Sequence, residues 1–210
     1  MRSLAILGAG GHGRVVADCA EMAGWSAITV FDDRPPPVAR GPWPIAGTGA
    51  DLVTRLSEFQ GVVVGIGDNG TRLGWHRRLI DLGGRLISVI HPNATVSSYA
   101  GLGVGTVVFA GAVINIGARL GQAVIINTGA TVDHDSNLAD GVHISPGAHL
   151  AGGVQIGETS WVGIGAAVRE GIVIGERVRI GAGAVVVKPV DDGLTVVGNP
   201  ARPPERQPNA

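Results

Sequence analysis

The chain has 210 residues, enough for one or two domains around a buried core. Glycine supplies 35 of them, hydrophobic residues 45% and charged residues only 16%, a balance that fits neither a collagen triplet nor a disordered polyelectrolyte. With 16 basic residues against 17 acidic ones and Lys188 as the single lysine, a nucleic acid is excluded as the natural partner. The one cysteine, Cys19, permits no intrachain disulfide and fits a reducing compartment. The apolar run near the start is too short for a signal peptide, and no stretch approaches the roughly 18 apolar residues of a membrane span. The expectation is a soluble cytoplasmic protein with no membrane insertion.

In chain order, Leu4–Leu7, Ile28–Phe31, Val62–Val64 and Leu86–Ile90 read as short apolar strands, separated by helical stretches at Arg14–Met22, Asp51–Phe59 and Thr71–Leu82. Strands alternating with helices predict a small parallel α/β sheet over residues 1–89. Pro35–Pro37 and Gly41-Pro42-Trp43-Pro44 predict a loop after the second strand. The first strand runs into Gly8-Ala9-Gly10-Gly11-His12-Gly13, and Asp32-Asp33 follows nineteen residues after Gly13. Such a turn lets backbone approach an anion and aims the free N–H groups of a helix at it. A nucleotide cofactor, a nucleotide sugar and a merely tight turn all fit; the nucleotide sugar is favoured, because four strands are few for a dinucleotide fold.

From Ile90 a period of six takes over and never slips. Stepping by six to Val186 meets seventeen residues, all aliphatic, and the residue four places after each is small or β-branched. Period six fits a short strand plus a corner, repeated. Of the 18 glycines between 91 and 190, six follow the aliphatic residue directly and ten lie three after it; these, with Asn115, Asn127 and Asp133, are the expected corners of unusual φ. Three sides close a coil of 18 residues, stacked at about 4.8 Å over residues 90–190. The tail, 191–210, leaves the repeat, and its last residues are expected to be mobile.

One polar cluster interrupts the repeat: Asn127-Thr128, Asp133-His134-Asp135, His143 and His149. His134 stands two after Val132, at an outward turn, where a neighbouring carboxylate holds its tautomer and raises its basicity. Gly152, eighteen residues on, is the only glycine in that column and falls one coil away, roughly 5 Å. Its N–H is a candidate oxyanion donor. The same arithmetic sets Trp161 one coil from His143 and Ser145 one coil from Asn127. A solvated turn histidine and an incidental Gly152-Gly153 pair remain the plain alternatives, and His76, His91 and His149 read as ordinary residues. Three histidines spaced nine and six apart raise a metal site, but His143 and His149 fall on different sides of the coil, so no metal is expected. Outward apolar residues Phe109, Ile116, Trp161 and Ile164 point to subunit contacts.

Taken together, Gly8–Gly13, Phe31-Asp32-Asp33, Gly65-Ile66-Gly67-Asp68-Asn69, the hexapeptide array with Asn127 and His134-Asp135, and Gly198-Asn199-Pro200-Ala201 resemble the bacterial sugar acetyltransferases of the hexapeptide superfamily. Within it, the match is to nucleotide-sugar N-acetyltransferases acting on 4-amino-4,6-dideoxy sugars, with sialic-acid O-acetyltransferases beside them. The resemblance implies a Rossmann-like α/β domain (1–89), a left-handed parallel β-helix (90–190), a homotrimer with sites between adjacent β-helices, and acetyl-CoA as co-substrate in glycan biosynthesis. By position it makes His134 the general base, Asp135 its orienting acid and Gly152 the donor to the thioester carbonyl. Asn127 and His143 line the acetyl and sugar pocket, while Gly10, His12, Gly13, Asp32 and Asp33 fall at the nucleotide-sugar end. Gly152, Trp161, Lys188, Gly198 and Pro200 lie along the cofactor. A non-catalytic β-helix that only binds nucleotide sugars is the alternative of a different class.

Overall fold

The computed structural model describes residues 2–34 and 41–204. The run Pro35–Pro37 and the last residues of the tail lie outside them. The first domain carries three parallel strands, β1 (Ser3–Leu7), β2 (Ala27–Phe31) and β3 (Gly61–Val64), in the order β2-β1-β3. Helix α1 (Gly11–Met22) starts from an extended Gly10 and buries Val16, Ala17, Cys19 and Ala20, the i, i+1, i+3, i+4 set of one helical face. Helix α2 (Gly49–Thr54) is closed by a capping box between Thr48 and Asp51 and stops early, so the helix expected over 51–59 is one short helix and a single 3₁₀ turn at Leu56–Glu58. Helix α3 (Asn69–Asp81) is capped by Asp68, whose carboxylate accepts from the Thr71 N–H at 2.9 Å.

The expected fourth strand is divided between two sheets. Leu86 bridges to Val62 of β3, whereas Val89–Ile90 (β4) pairs with Val107–Val108 (β7) of the repeat. Ile87 and Ser88 carry the chain across, and Ser88 ties the crossing down by donating to the Gly103 carbonyl at 3.2 Å.

Eighteen two-residue strands, β4 to β21, build the second region. The seven-stranded sheet stacks β4, β7, β10 (Ile125–Ile126), β13 (His143–Ile144), β16 (Trp161–Val162), β19 (Arg179–Ile180) and β21 (Thr195–Val196). A six-stranded sheet runs from β5 (Thr95–Val96) through β11 (Thr131–Val132) to β20 (Val185–Val186), and a five-stranded one from β6 (Gly101–Leu102) to β18 (Val173–Ile174). All pairings are parallel and shift by eighteen residues per coil over most of the stack, as in Val132↔Leu150. This is a parallel β-helix. The period-six aliphatic residues from Val108 onward point inward and are buried, together with the small residues four places on. At roughly 1.5–3 kcal/mol per buried aliphatic side chain, against about 1 for a net hydrogen bond, these columns outweigh the two-residue ladders.

The corners differ from expectation in one column. Positive φ falls on the residue three after the aliphatic one, at the ten glycines and also at Ala123, Asp135, Thr159 and Arg177, and not at Asn115, Asn127 or Asp133. The glycines directly after the aliphatic residue serve close approach instead: a Cβ on Gly163 would lie 2.6 Å from the Ile180 carbonyl of the next coil. Phe109 is a second correction. It is 2% exposed and packs with α1, Leu4 and Ile6, so it belongs to the contact between the two regions and to no subunit interface. Ile116 and Ile164 are each 57% exposed and Trp161 39%, as surface residues.

Candidate functional site

The outward positions of the seven-stranded sheet form a ladder: Val89, Val107, Ile125, His143, Trp161, Arg179 and Thr195. The first three are buried beneath α1 and β1, which seats the α/β domain on one end of the sheet. Immediately beyond, the ladder turns polar and aromatic, and a cleft opens between the two regions.

The cleft has two connected parts. One, of about 540 Å³, lies over the glycine turn and is lined by Gly10, His12, Asp32, Asp33, Arg34 and Asp68. The other, of about 500 Å³, shares Gly67 and Asp68 and reaches Trp161, Arg177 and Arg179. Gly13 is where α1 crosses the turn, and any Cβ there would strike the Gly8 carbonyl. Gly10 lies under the Arg34 guanidinium, 3.3 Å from where its Cβ would be. Asp32 accepts from the Ala9 N–H at 2.7 Å and from the Arg34 N–H at 2.9 Å, with the Arg34 side chain on both oxygens at 3.2 Å. Burial alone would raise its carboxyl, but the Arg34 side chain and the two N–H donors hold it below the usual range. Asp32 therefore ties the turn together, while Asp33 accepts from the Gly49 N–H at 2.7 Å.

His12 and His143 meet across this contact, with ring centroids 6.3 Å apart; His12 also sits edge-on to Phe109 at 5.7 Å. Burial first, then the charge of Arg72, pushes His12 down to about 4; burial, Arg72 and His12 push His143 down to about 3. Asn127 Oδ1 accepts from the Thr128 N–H at 2.9 Å, so its Nδ2 is the donor to His143 Nε2 at 3.2 Å. The proton of neutral His143 is then on Nδ1. Trp161 stacks on the His143 ring at 5.7 Å, donates to Ser145 and carries the Arg179 guanidinium 5.0 Å above it.

A second group stands on another edge, in the turn after β11. His134 Nδ1 and Asp135 Oδ2 are 2.9 Å apart, so the aspartate reaches the imidazole. The Asp135 hydrogen bond raises His134 above its ordinary value against an opposing desolvation, and the charges of Asp133 and Asp135 add to the rise. The imidazole lies flat on the next coil, where a Cβ on Gly152 would be 2.5 Å from both Nε2 and Cε1. On the coil before, a Cβ on Gly117 would collide with the Asp135 carboxylate. Gly117 escaped the sequence reading, although subtracting eighteen from 135 finds it. The Gly152 N–H has no acceptor among the described residues.

Val132, Leu150, Val168 and Val186 form one ladder, so His134, Gly152 and exposed Lys188, each two residues past its rung, share an edge. Gly198 accepts from the Val185 N–H at 3.0 Å, and the Ala201 N–H donates to the Val185 carbonyl at 2.8 Å, which sets Gly198 and Pro200 beside the end of that sheet. The structure thus brings His134, Asp135, Gly152, Lys188, Gly198 and Pro200 to one side, and Gly10, His12, Gly13, Asp32, Asp33, Asn127 and His143 to another. Trp161 pairs with His143 one coil on, as expected, and lines the cleft.

Among the described residues no group of three His, Cys, Asp or Glu is placed to hold a metal ion, and no helix is long and apolar enough to cross a membrane. Cys19 is buried in α1, its thiol pushed up to about 12 by burial and Asp18, and so is no nucleophile at neutral pH.

Residues 3–79 match the PglD N-terminal domain family, and residues 153–188 the bacterial transferase hexapeptide (six repeats) family. The acetyltransferase domain of PglB from Neisseria gonorrhoeae FA1090, solved in complex with acetyl coenzyme A, is 46% identical with a TM-score of 0.92, covering 96% of this chain and 98% of that one. Perosamine N-acetyltransferase from Caulobacter crescentus, solved as a mutant with CoA and GDP-perosamine, is 36% identical with a TM-score of 0.92 over 97% of each chain. WeeI from Acinetobacter baumannii AYE, at 24% identity and a TM-score of 0.86 over 97% of this chain and 100% of that one, shares the fold. A search of curated proteins found no match. The chain belongs to the hexapeptide sugar acetyltransferases that carry a PglD-type N-terminal domain, and it is an acyltransferase.

Proposed function

We propose that the chain transfers the acetyl group of acetyl-CoA to the amine of a nucleotide-linked 4-amino-4,6-dideoxy sugar, with His134 as general base. The observation that carries this reading is the His134 imidazole, held by Asp135 on Nδ1 and laid with Nε2 against Gly152. The sugar amine attacks the thioester carbonyl, forming the N–C bond, and His134 Nε2 takes the amine proton. The Gly152 N–H donates to the oxyanion, the C–S bond breaks, and the proton passes from His134 to the departing thiolate. Acetyl-CoA runs along the edge of Gly152, Lys188 and Gly198–Pro200. The relatives that bind acetyl coenzyme A or GDP-perosamine support both substrate classes.

The nucleotide sugar occupies the cleft over Gly10, His12 and Asp33, its sugar directed toward Asn127 and His143. Because that cleft and the His134 edge lie on different sides of one chain, a complete site takes the cleft of one subunit and the edge of the next in a homotrimer. Exposed Ile116, one coil before His134, and Ile164 supply apolar contact for it. The decisive assay is acetyl-CoA consumption against UDP-, GDP- and dTDP-linked amino sugars and free sialic acids. Turnover of sialic acid alone would replace the amine acceptor with a hydroxyl; no turnover, with binding retained, would leave a scaffold. Sedimentation showing a stable 21.3 kDa monomer at micromolar concentration would remove the shared site.

A further inference from the structure

Arg72 is 1% exposed and, among the described residues, makes its hydrogen bonds without a carboxylate partner. Nε donates to the Ala123 carbonyl at 2.9 Å; Nη1 to Ile66 and Gly67, each at 3.1 Å; Nη2 to Asn69 Oδ1 at 3.0 Å and Gly141 at 2.7 Å. All five donors of the guanidinium are used. Asn69 extends the contact, its Nδ2 reaching the carbonyls of Thr159 at 2.9 Å and Ser160 at 3.1 Å. Ala123, Gly141 and Thr159 are one corner of three successive coils, eighteen residues apart, and all three have positive φ.

We infer that Arg72, with Asn69, is the positioning clasp that fixes the Ile66–Asp68 loop of the nucleotide-sugar cleft against the β-helix, one corner away from His143 and Trp161. Three features carry this. Gly67, one of the two carbonyls held by Nη1, lines both parts of the cleft. Gly141 stands two residues before His143, and Ser160 one before Trp161, so the clasp grips the coils that carry those rings. Only a planar, five-donor group satisfies carbonyls from a loop and two coils at once; a lysine ammonium has three donors on a single nitrogen. Arg72 also faces His12 and His143 and opposes their protonation. The other charged groups lining the cleft, among the described residues, are Asp68 at the N-cap of α3, Arg177, Arg179 on β19, and Asp32, Asp33 and Arg34 at the far end.

The inference rests on the proposed acceptor site for its kinetic arm and not for its spectroscopic one. Arg72→Lys keeps the charge and loses the geometry: the KM for the nucleotide amino sugar should rise at least tenfold, acetyl-CoA affinity should stay within twofold, and the NMR titration midpoints of His12 and His143 should stay acidic. Arg72→Met should raise KM as much and also move both midpoints upward. Asn69→Ala, which takes one acceptor from the guanidinium and leaves it the other four, should raise KM several-fold and carries the test if the Arg72 variants do not fold. A lysine variant within threefold of the parent KM, or equal loss of affinity for both substrates, would overturn the clasp. If the parent turns over no amino sugar, the acceptor assignment fails separately, and unchanged amide hydrogen exchange across Ile66–Asp68 in Arg72→Lys, read by NMR, would then overturn the clasp on its own.

Discussion

The cleft histidines and the edge histidine have the same side chain and opposite chemistry. His12 and His143 are pushed down by burial and by Arg72, while His134 stands in solvent and is raised by Asp135. The difference teaches which environment suits which role. Desolvation makes an imidazole a fixed neutral hydrogen-bonding partner, whereas a carboxylate at Nδ1 with an open Nε2 makes it a base.

The severest break of that comparison is His134→Ala, expected to lower turnover by about 10² to 10⁴, the usual worth of a general base. Activity within threefold of the parent, in correctly assembled protein, would dismiss His134 from the chemistry. Gly152→Ala keeps the backbone N–H, but its methyl would occupy the place of the His134 imidazole, so it should cost about 10², the lower end of what a general base is worth; acetyl-CoA turnover at an unchanged melting temperature reads it. Asp135→Asn should cost about tenfold, less than the 10² to 10⁴ of the proton-transfer group itself, because the imidazole remains, and should also move the pH profile. The base works only when neutral, so the parent loses activity as pH falls through its raised value. Without the carboxylate that value drops, and the acidic limb shifts to lower pH at a reduced plateau. The gentlest test changes no residue: in an NMR titration His143 and His12 should stay neutral down to about 3 and 4, while His134 titrates above its ordinary 6.5. Coincident midpoints would erase the contrast.

The repeat was legible because its period acts on every coil alike: inward columns, corner glycines and the His134–Gly152 register all follow from counting by six and eighteen. What counting missed depends on two regions meeting. Val89, Val107, Ile125 and Phe109 are outward residues whose apolar character answers α1, a contact with no periodic signal. Leu86–Ile90 looked like one strand because a short apolar run says nothing about which sheet receives each half. Arg72 carried no signal in the sequence; its spacing of three from Asn69 places them on one face, but the β-helix carbonyls they satisfy lie 51 to 91 residues away. The Asp32 carboxylate, which the resemblance puts at the nucleotide-sugar end, is paired with Arg34 two residues on, a local contact without a spacing signal.

The outward ladder of the seven-stranded sheet works as a graduated scale. Each rung advances by about 4.8 Å, from the aliphatic platform through His143 and Trp161 to Arg179. Inserting eighteen residues adds a whole rung and leaves every side chain facing as before, whereas inserting one turns the following residues of that side inside out. The reach of the cleft along this face is therefore quantised. Acceptors that differ by a rung's length can be followed by gaining or losing coils, and finer differences fall to the loops of the α/β domain, which alone can move by fractions of a step.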